Sequence, residues 1–224
     1  MIVLVAHGTR DPAGPQVTEE LANLVRSRGL GVEIAYADVR EPDVTTVLNR
    51  LREPAVVVPA FLAAGYHVRT DIPAQVAASR QPRAVLAEAF GPAPELLDVL
   101  EHRLCEAGYA PGDSVVLAAA GSSDPRARGE VAAAAQALAG RLCTPVRVGY
   151  AATAQPSVAE AVVRARRTSH RVAVASWLLA PGLFQQRLVA ADADLVAEPL
   201  GAHPAVADLV LRRYTETLHA TRAA

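Results

Sequence analysis

Six histidines are spread over 224 residues, but only two stand just beyond short, β-branched apolar runs. His7 ends the run Met1 to Ala6 and opens His7-Gly8-Thr9-Arg10-Asp11-Pro12; His67 follows Ala55 to Pro59 through the turn Ala63-Ala64-Gly65-Tyr66 and precedes Asp71-Ile72-Pro73. Runs of this composition read as buried strands of a parallel sheet, and residues just past such strands gather at its carboxyl edge, where open α/β sheets bind ligands. Asp38 ends a third run, Val32 to Ala37. A lone histidine at a strand end is ordinarily a hydrogen-bonded structural group. Two of them with a carboxylate at one edge form a different set: neutral imidazole is a borderline ligand for divalent iron, cobalt, nickel or zinc, accepts protons near neutral pH, and a carboxylate completes a site with open positions. His102, His170, His203 and His219 lie on helices or helix edges and read as surface residues.

The elements that must position these groups alternate. Strands are expected at 2–6, 32–37, 55–59 and 84–88, and helices near 15–28, 43–52, 71–80 and 93–107. Val17, Leu21, Leu24 and Val25 fall on one helical face, as do Leu96, Leu97, Leu100 and Leu104, and Gly29 sits where a C-cap glycine ends the first helix. Such alternation means a mainly parallel sheet with helices on both faces.

The same order then begins again. Val115 to Pro125 echoes Ile2 to Pro12, with Ala120 opposite His7; Val146 to Ala152 echoes Val32 to Asp38; Trp177 to Gly182 echoes Phe61 to Gly65; Glu198, Gly201 and Pro204 echo Glu88, Gly91 and Pro94. The chain therefore reads as two similar α/β halves, 1–108 and 113–224, each a four-stranded, mainly parallel sheet flanked by helices, joined by a turn between Glu106 and Asp113. Positions shared by both halves are explained most simply by fold: Gly8 and Gly121 for a tight turn, Asp11-Pro12 and Asp124-Pro125 for helix entry. His7 becomes Ala120, Asp38 becomes Ala152, and His67 falls opposite Leu183 or Phe184, so the ligand-type residues are confined to the first half.

Bulk properties exclude several classes. Apolar residues make up 51%, charged residues 20%, and the net charge is −1, which argues against a nucleic-acid or membrane surface. All 22 basic residues are arginine; the densest cluster, Arg164, Arg166, Arg167 and Arg171, reads as a solvated helix end. Met1 leads directly into strand-like sequence, so no signal peptide is expected, and no run reaches the roughly 20 apolar residues of a membrane helix. Cys105 and Cys143 lie far apart, without ligand spacing, as expected of reduced core thiols in a cytoplasmic protein. No GxxxxGK[ST], GxGxxG or GxSxG motif is present, and Ala6 stands where a histidine phosphatase has arginine; no nucleotide is expected.

The segments VLVAHGTRDP, AYADVREPDV and PAFLAAGYHVRTDIP, in this order, resemble the CbiX/SirB-type sirohydrochlorin chelatases, relatives of the class II chelatases. The resemblance implies two chelatase-like halves with a cleft between them, and ATP-independent insertion of Co²⁺ or Fe²⁺ into sirohydrochlorin, for cobalamin or sirohaem. Ni²⁺ suits the same ligand types. His7 and His67 match the family's catalytic histidines, while Asp38 stands where relatives commonly have glutamate, one methylene longer. Metal ligation is thus expected from His7, His67 and Asp38. Contacts to the substrate's carboxylates are expected from Gly8, Thr9, Arg10, Ala63, Ala64, Gly65 and Arg69, and from Ser122, Ser123 and Gly182 of the silent second half. A carrier that binds metal or tetrapyrrole without catalysing would use the same pair. Oligomeric state is not encoded visibly; internal duplication is compatible with a monomer.

Overall fold

Five successive residues without a polar side chain, Ile2–Ala6, suit a strand covered on both faces, and in the computed structural model, which describes residues 1–223, all five are buried. The first half runs β1 (Ile2–Ala6), α1 (Ala13–Arg26), β2 (Val32–Tyr36), α2 (Val44–Arg50), β3 (Ala55–Pro59), a single π-helical turn (His67–Asp71) leading into α3 (Ile72–Ala78), β4 (Ala84–Leu86) and α4 (Pro94–Glu106). The second repeats the order with β5 (Ser114–Ala119), α5 (Pro125–Leu142), β6 (Val146–Tyr150), α6 (Val158–Ala165), β7 (Val172–Trp177), α7 (Leu183–Val189), β8 (Leu195–Val196) and α8 (Pro204–Ala223). Each set of four strands forms one all-parallel sheet, ordered β2-β1-β3-β4 and β6-β5-β7-β8. The expected two similar α/β halves are therefore present. Among the described residues, no helix is long and apolar enough to cross a membrane. The two cysteines expected in the core are instead exposed, Cys105 on the outer face of α4 and Cys143 at the C-cap of α5, where neither chain segment turns that side chain inward.

Strand alternation builds the two layers of each core. In the first sheet, Val3, Val5 and Val57 pack with Val44, Val47 and Leu48 of α2 and Ile72 of α3. The alternate residues Ile2, Leu4, Val56 and Val58 are also buried, and they face the opposite layer. In the second sheet, Val116, Ala118, Val172 and Val174 pack with Val158, Ala161, Val162 and Ala165 of α6 and Leu188 of α7.

Compactness divides the chain differently from the repeat. One unit comprises Met1–Phe90 and the chain from Ala202 on; the other is Gly91–Gly201. Each packed unit thus takes its last helix from the other of the two expected halves. Helix α4 buries Leu96, Val99, Leu100 and Leu104 and lies against β7 and α5; α8 buries Val206, Ala207, Leu209 and Val210 and lies against β3 and α1. Ion pairs follow the packing: Arg28 holds Asp208 at 2.5 Å, and Arg141 holds Asp98 at 2.6 Å and Glu101 at 2.8 Å. Each buried leucine or valine contributes about 1.5–3 kcal/mol, against about 0–1 kcal/mol for an exposed ion pair, so apolar burial decides the partner.

A fragment ending at Gly108 retains α4 but lacks α8, losing burial on the order of 5 kcal/mol over the α1 and β3 surface. It is expected to melt far below the full chain and in a concentration-dependent way, as α4 of one copy covers the sheet of another. Circular-dichroism melts over a dilution series measure this; a concentration-independent midpoint equal to the full chain's would contradict it.

Candidate functional site

The strand order places β1 at a switch point. The connection through α1 leads to β2 on one side of β1, and the connection through α2 leads back to β3 on the other, so the loops leaving β1 and β3 diverge at their carboxyl ends. Register fixes what meets there: Val5 pairs with Pro59, and the Ala60 N–H donates to the Val5 carbonyl at 2.8 Å. His7 is the first residue past β1, and the loop after β3 returns through Phe61 to His67, which opens the π-helical turn.

The two imidazoles meet edge to face, with centroids 4.5 Å apart and planes at 80°. Phe61 lies beside both, at 6.0 Å from His7 and 6.1 Å from His67. His7 is exposed and its Nδ1 lies 3.0 Å from the Gly8 carbonyl oxygen. His67 is about a quarter exposed, and its Nδ1 lies 2.9 Å from Oδ2 of Asp71, four residues on. A carbonyl oxygen and an ionised carboxylate only accept, so each neutral ring carries its proton on Nδ1 and keeps a lone pair on Nε2. Two imidazoles in contact, each with such a nitrogen, offer ligands for a borderline divalent ion and acceptors for protons.

Asp38 is not gathered with them. Among the described residues, no group of three or more His, Cys, Asp or Glu side chains is placed to hold a metal ion. The reason is local: the exposed Asp38 carboxylate accepts the next residue's N–H, that of Val39, at 2.7 Å.

The remaining expected residues divide into turn and surface. The Thr9 hydroxyl accepts the Asp11 N–H at 3.1 Å, and the Ser122 hydroxyl accepts the Asp124 N–H at 3.1 Å; the carboxylates of Asp11 and Asp124 then accept from Ala13 and Arg126 at the starts of α1 and α5. The two copies thus build one and the same turn. Arg10 and Ser123 are exposed, Ala63, Ala64 and Gly65 are half-buried, and Gly182 caps α7. Arg69 spends its Nε on the Ala64 carbonyl at 2.7 Å, bracing that loop. Phe61 and Asp71, which touch the histidines, were not singled out by sequence, nor was Arg40, whose guanidinium donates to the Thr9 carbonyl at 3.1 Å and lies 5.9 Å from the Tyr36 ring centroid. Arg40 carried a readable signal, since Ala154 occupies its place in the second copy. Burial raises the Tyr36 phenol pKa, with Arg40 opposing, and burial likewise raises that of Tyr150; neither competes with imidazole as a proton acceptor near neutral pH.

The second copy shows what remains without the chemistry. The Ala120 carbonyl accepts from the Ala152 N–H at 2.9 Å, as the His7 carbonyl accepts from Asp38 at 3.1 Å. Strand register and the loop bond from Leu200 to Leu178, equivalent to that from Phe90 to Phe61, give an offset of 117 residues after β3 and β7, which puts Phe184 rather than Leu183 opposite His67. Val39 and Thr153, both β-branched, take left-handed φ values of 68° and 63°, so that strain belongs to the loop in both copies.

Known proteins share this organisation. The CbiX family model matches residues 1–107 and again 114–217. The sirohydrochlorin cobaltochelatase of Sulfurisphaera tokodaii is 28% identical over 109 residues, covering 47% of this chain and 91% of that protein. The sirohydrochlorin ferrochelatase of Priestia megaterium is 26% identical over 233 residues, covering 93% of this chain and 87% of the relative. Among solved structures, SirB from Bacillus subtilis with Fe³⁺ superposes with a TM-score of 0.77 at 23% identity, over 96% of this chain and 94% of that one.

Both turn glycines are required sterically: at Gly8 (φ 90°) a Cβ would lie 2.0 Å from the Asp38 carbonyl oxygen, and at Gly121 (φ 102°) 1.9 Å from that of Ala152. Gly8→Ala and Gly121→Ala are each expected to cost about 1–3 kcal/mol in urea unfolding. A loss under about 0.5 kcal/mol, the range of an inconsequential surface change, would contradict this account of the turn.

Proposed function

The chain belongs to the CbiX family, and on that premise we propose that it is a sirohydrochlorin chelatase, inserting Co²⁺ or Fe²⁺ into sirohydrochlorin without ATP. The observation that carries this reading is the paired imidazoles at 4.5 Å, present in one copy of the repeat and replaced by alanine and phenylalanine in the other. The names of the relatives support the substrate; they include both a cobaltochelatase and a ferrochelatase.

Metalation of the ring exchanges one divalent ion for two pyrrole protons, so the catalyst must hold the ion loosely and take up protons. In this proposal the Nε2 atoms of His7 and His67 bind the incoming ion in place of two of its waters. As the ion passes to the ring nitrogens, each imidazole regains its lone pair and accepts a departing proton, which solvent then removes. Ligand exchange and proton transfer are thus served by the same atoms, which explains why two histidines suffice without an activated nucleotide. Arg10, exposed three residues after His7, and Arg40, braced on Thr9, supply fork-shaped donors for the substrate's carboxylates. Two imidazoles do not separate Co²⁺ from Fe²⁺ by donor softness, so we assign both ions as substrates, the choice following supply.

In anaerobic metalation assays, His7→Ala and His67→Ala are each expected to slow the reaction by about 100-fold or more. Asp38→Ala, removing a carboxylate not gathered with the pair, is expected to cost less than about 10-fold, and His170→Ala on the surface nothing. A wild-type rate for His7→Ala would overturn the proposal.

A further inference from the structure

The π-helical turn that opens at His67 closes on Asp71, and its i to i+5 bond, from the Ile72 N–H to the His67 carbonyl, places the two side chains one turn apart. Asp71 is not isolated behind the imidazole. Its Oδ1 faces Nε2 of Gln75 at 3.4 Å, while the same Gln75 nitrogen donates to the Ala37 carbonyl at 3.0 Å and Gln75 Oε1 accepts the Val44 N–H at 3.0 Å. The direction of every bond follows from one end. A backbone N–H can only donate, so the Val44 N–H fixes which end of the Gln75 amide is oxygen. The amide NH₂ then faces Ala37 and Asp71, both of which accept, and Asp71 has its other oxygen to accept from His67 Nδ1.

We propose that Asp71 is the positioning residue of the site: oriented by Gln75 of α3, itself fixed by the Val44 N–H at the start of α2, it holds His67 in the Nδ1–H tautomer and keeps the Nε2 lone pair available to an incoming divalent ion. His7 is anchored differently, on the rigid carbonyl of its own neighbour Gly8. The two rings are therefore set by independent devices, and only that of His67 runs through side chains. It also couples His67 to Ala37, the residue just before Asp38, so the loops after β2 and β3 share one hydrogen-bonded chain. This role rests on the chelatase reading only for its catalytic consequence.

The donor–acceptor logic makes an inverted variant informative. In Asp71→Asn the new amide has one oxygen for two donors; Gln75, whose orientation is fixed, takes it, and the NH₂ turns to His67 Nδ1, forcing the ring proton to Nε2. In Asp71→Asn/Gln75→Met the competing donor is gone, so the new amide turns its oxygen to His67 Nδ1 and the ring proton stays there.

The test uses metal-free full-length protein with ¹⁵N-labelled histidine, read by NMR near pH 8, above the ordinary imidazole range, and Co²⁺ alone as probe in calorimetry. Wild type is expected in the Nδ1–H form. Asp71→Asn is expected in the Nε2–H form, with Co²⁺ affinity lowered about 10- to 100-fold, and the double variant is expected to restore the tautomer and most of the affinity. An unchanged tautomer and affinity in Asp71→Asn, an affinity loss without tautomer change, or a double variant no better than the single would each overturn the assignment. Sirohydrochlorin takes no part in these measurements, so failure here leaves the chelatase reading standing, and failure of that reading leaves this result interpretable.

Discussion

The parallel pairing of β1 with β3 is the constraint on which the site depends. Once Val5 lies beside Pro59 and the Ala60 N–H closes the ladder on Val5, the residue after β1 and the loop after β3 leave the sheet at the same level and on adjacent strands. His7 needs no further instruction to reach that edge. His67 needs the loop to double back, and Phe61, within about 6 Å of both rings, is the apolar body against which it does so. Both strands are buried along their length, so a one-residue slip would turn core valines outward and is resisted by the whole sheet. The precision of the histidine pair is inherited from the core.

Duplication makes the division between scaffold and chemistry visible. Gly8 and Gly121, Thr9 and Ser122, Asp11 and Asp124, and Val39 and Thr153 make the same turns with the same bonds or backbone angles in both copies. The fold keeps all four strands with alanine at the place of His7 and phenylalanine at that of His67, and only the π-helical turn has no counterpart at α7. The imidazoles therefore contribute little that the structure needs, and their presence in one copy alone is explained by what they can do there.

Much of this was legible in the chain because period and repetition are local properties. Strands and helices came from apolar spacing, the turn glycines from their recurrence, and the histidine pair from its place after two buried runs. Partner choice was not legible: α4 and α8 carry similar apolar stripes, and nothing in either stripe records that each covers the sheet of the other repeat. Side-chain direction was hidden as well. Asp38 stands at the right edge by position, but its carboxylate is drawn to the N–H of its own loop. Asp71 stands four residues after His67, a spacing that puts two side chains on one helical face, but the sequence pattern began the helix only at 71 and left His67 in the preceding turn, so the pair was not read.

The central claim is that a pair of imidazoles turns over, holding each ion only until it exchanges for ring protons. Anaerobic mixing of sirohydrochlorin and Co²⁺ in excess over the protein, without ATP, measures this directly by the number of metallated rings formed per chain above the uncatalysed background. The account predicts many rings per chain at a steady rate; product that stops at one equivalent per chain would mark a carrier and contradict it.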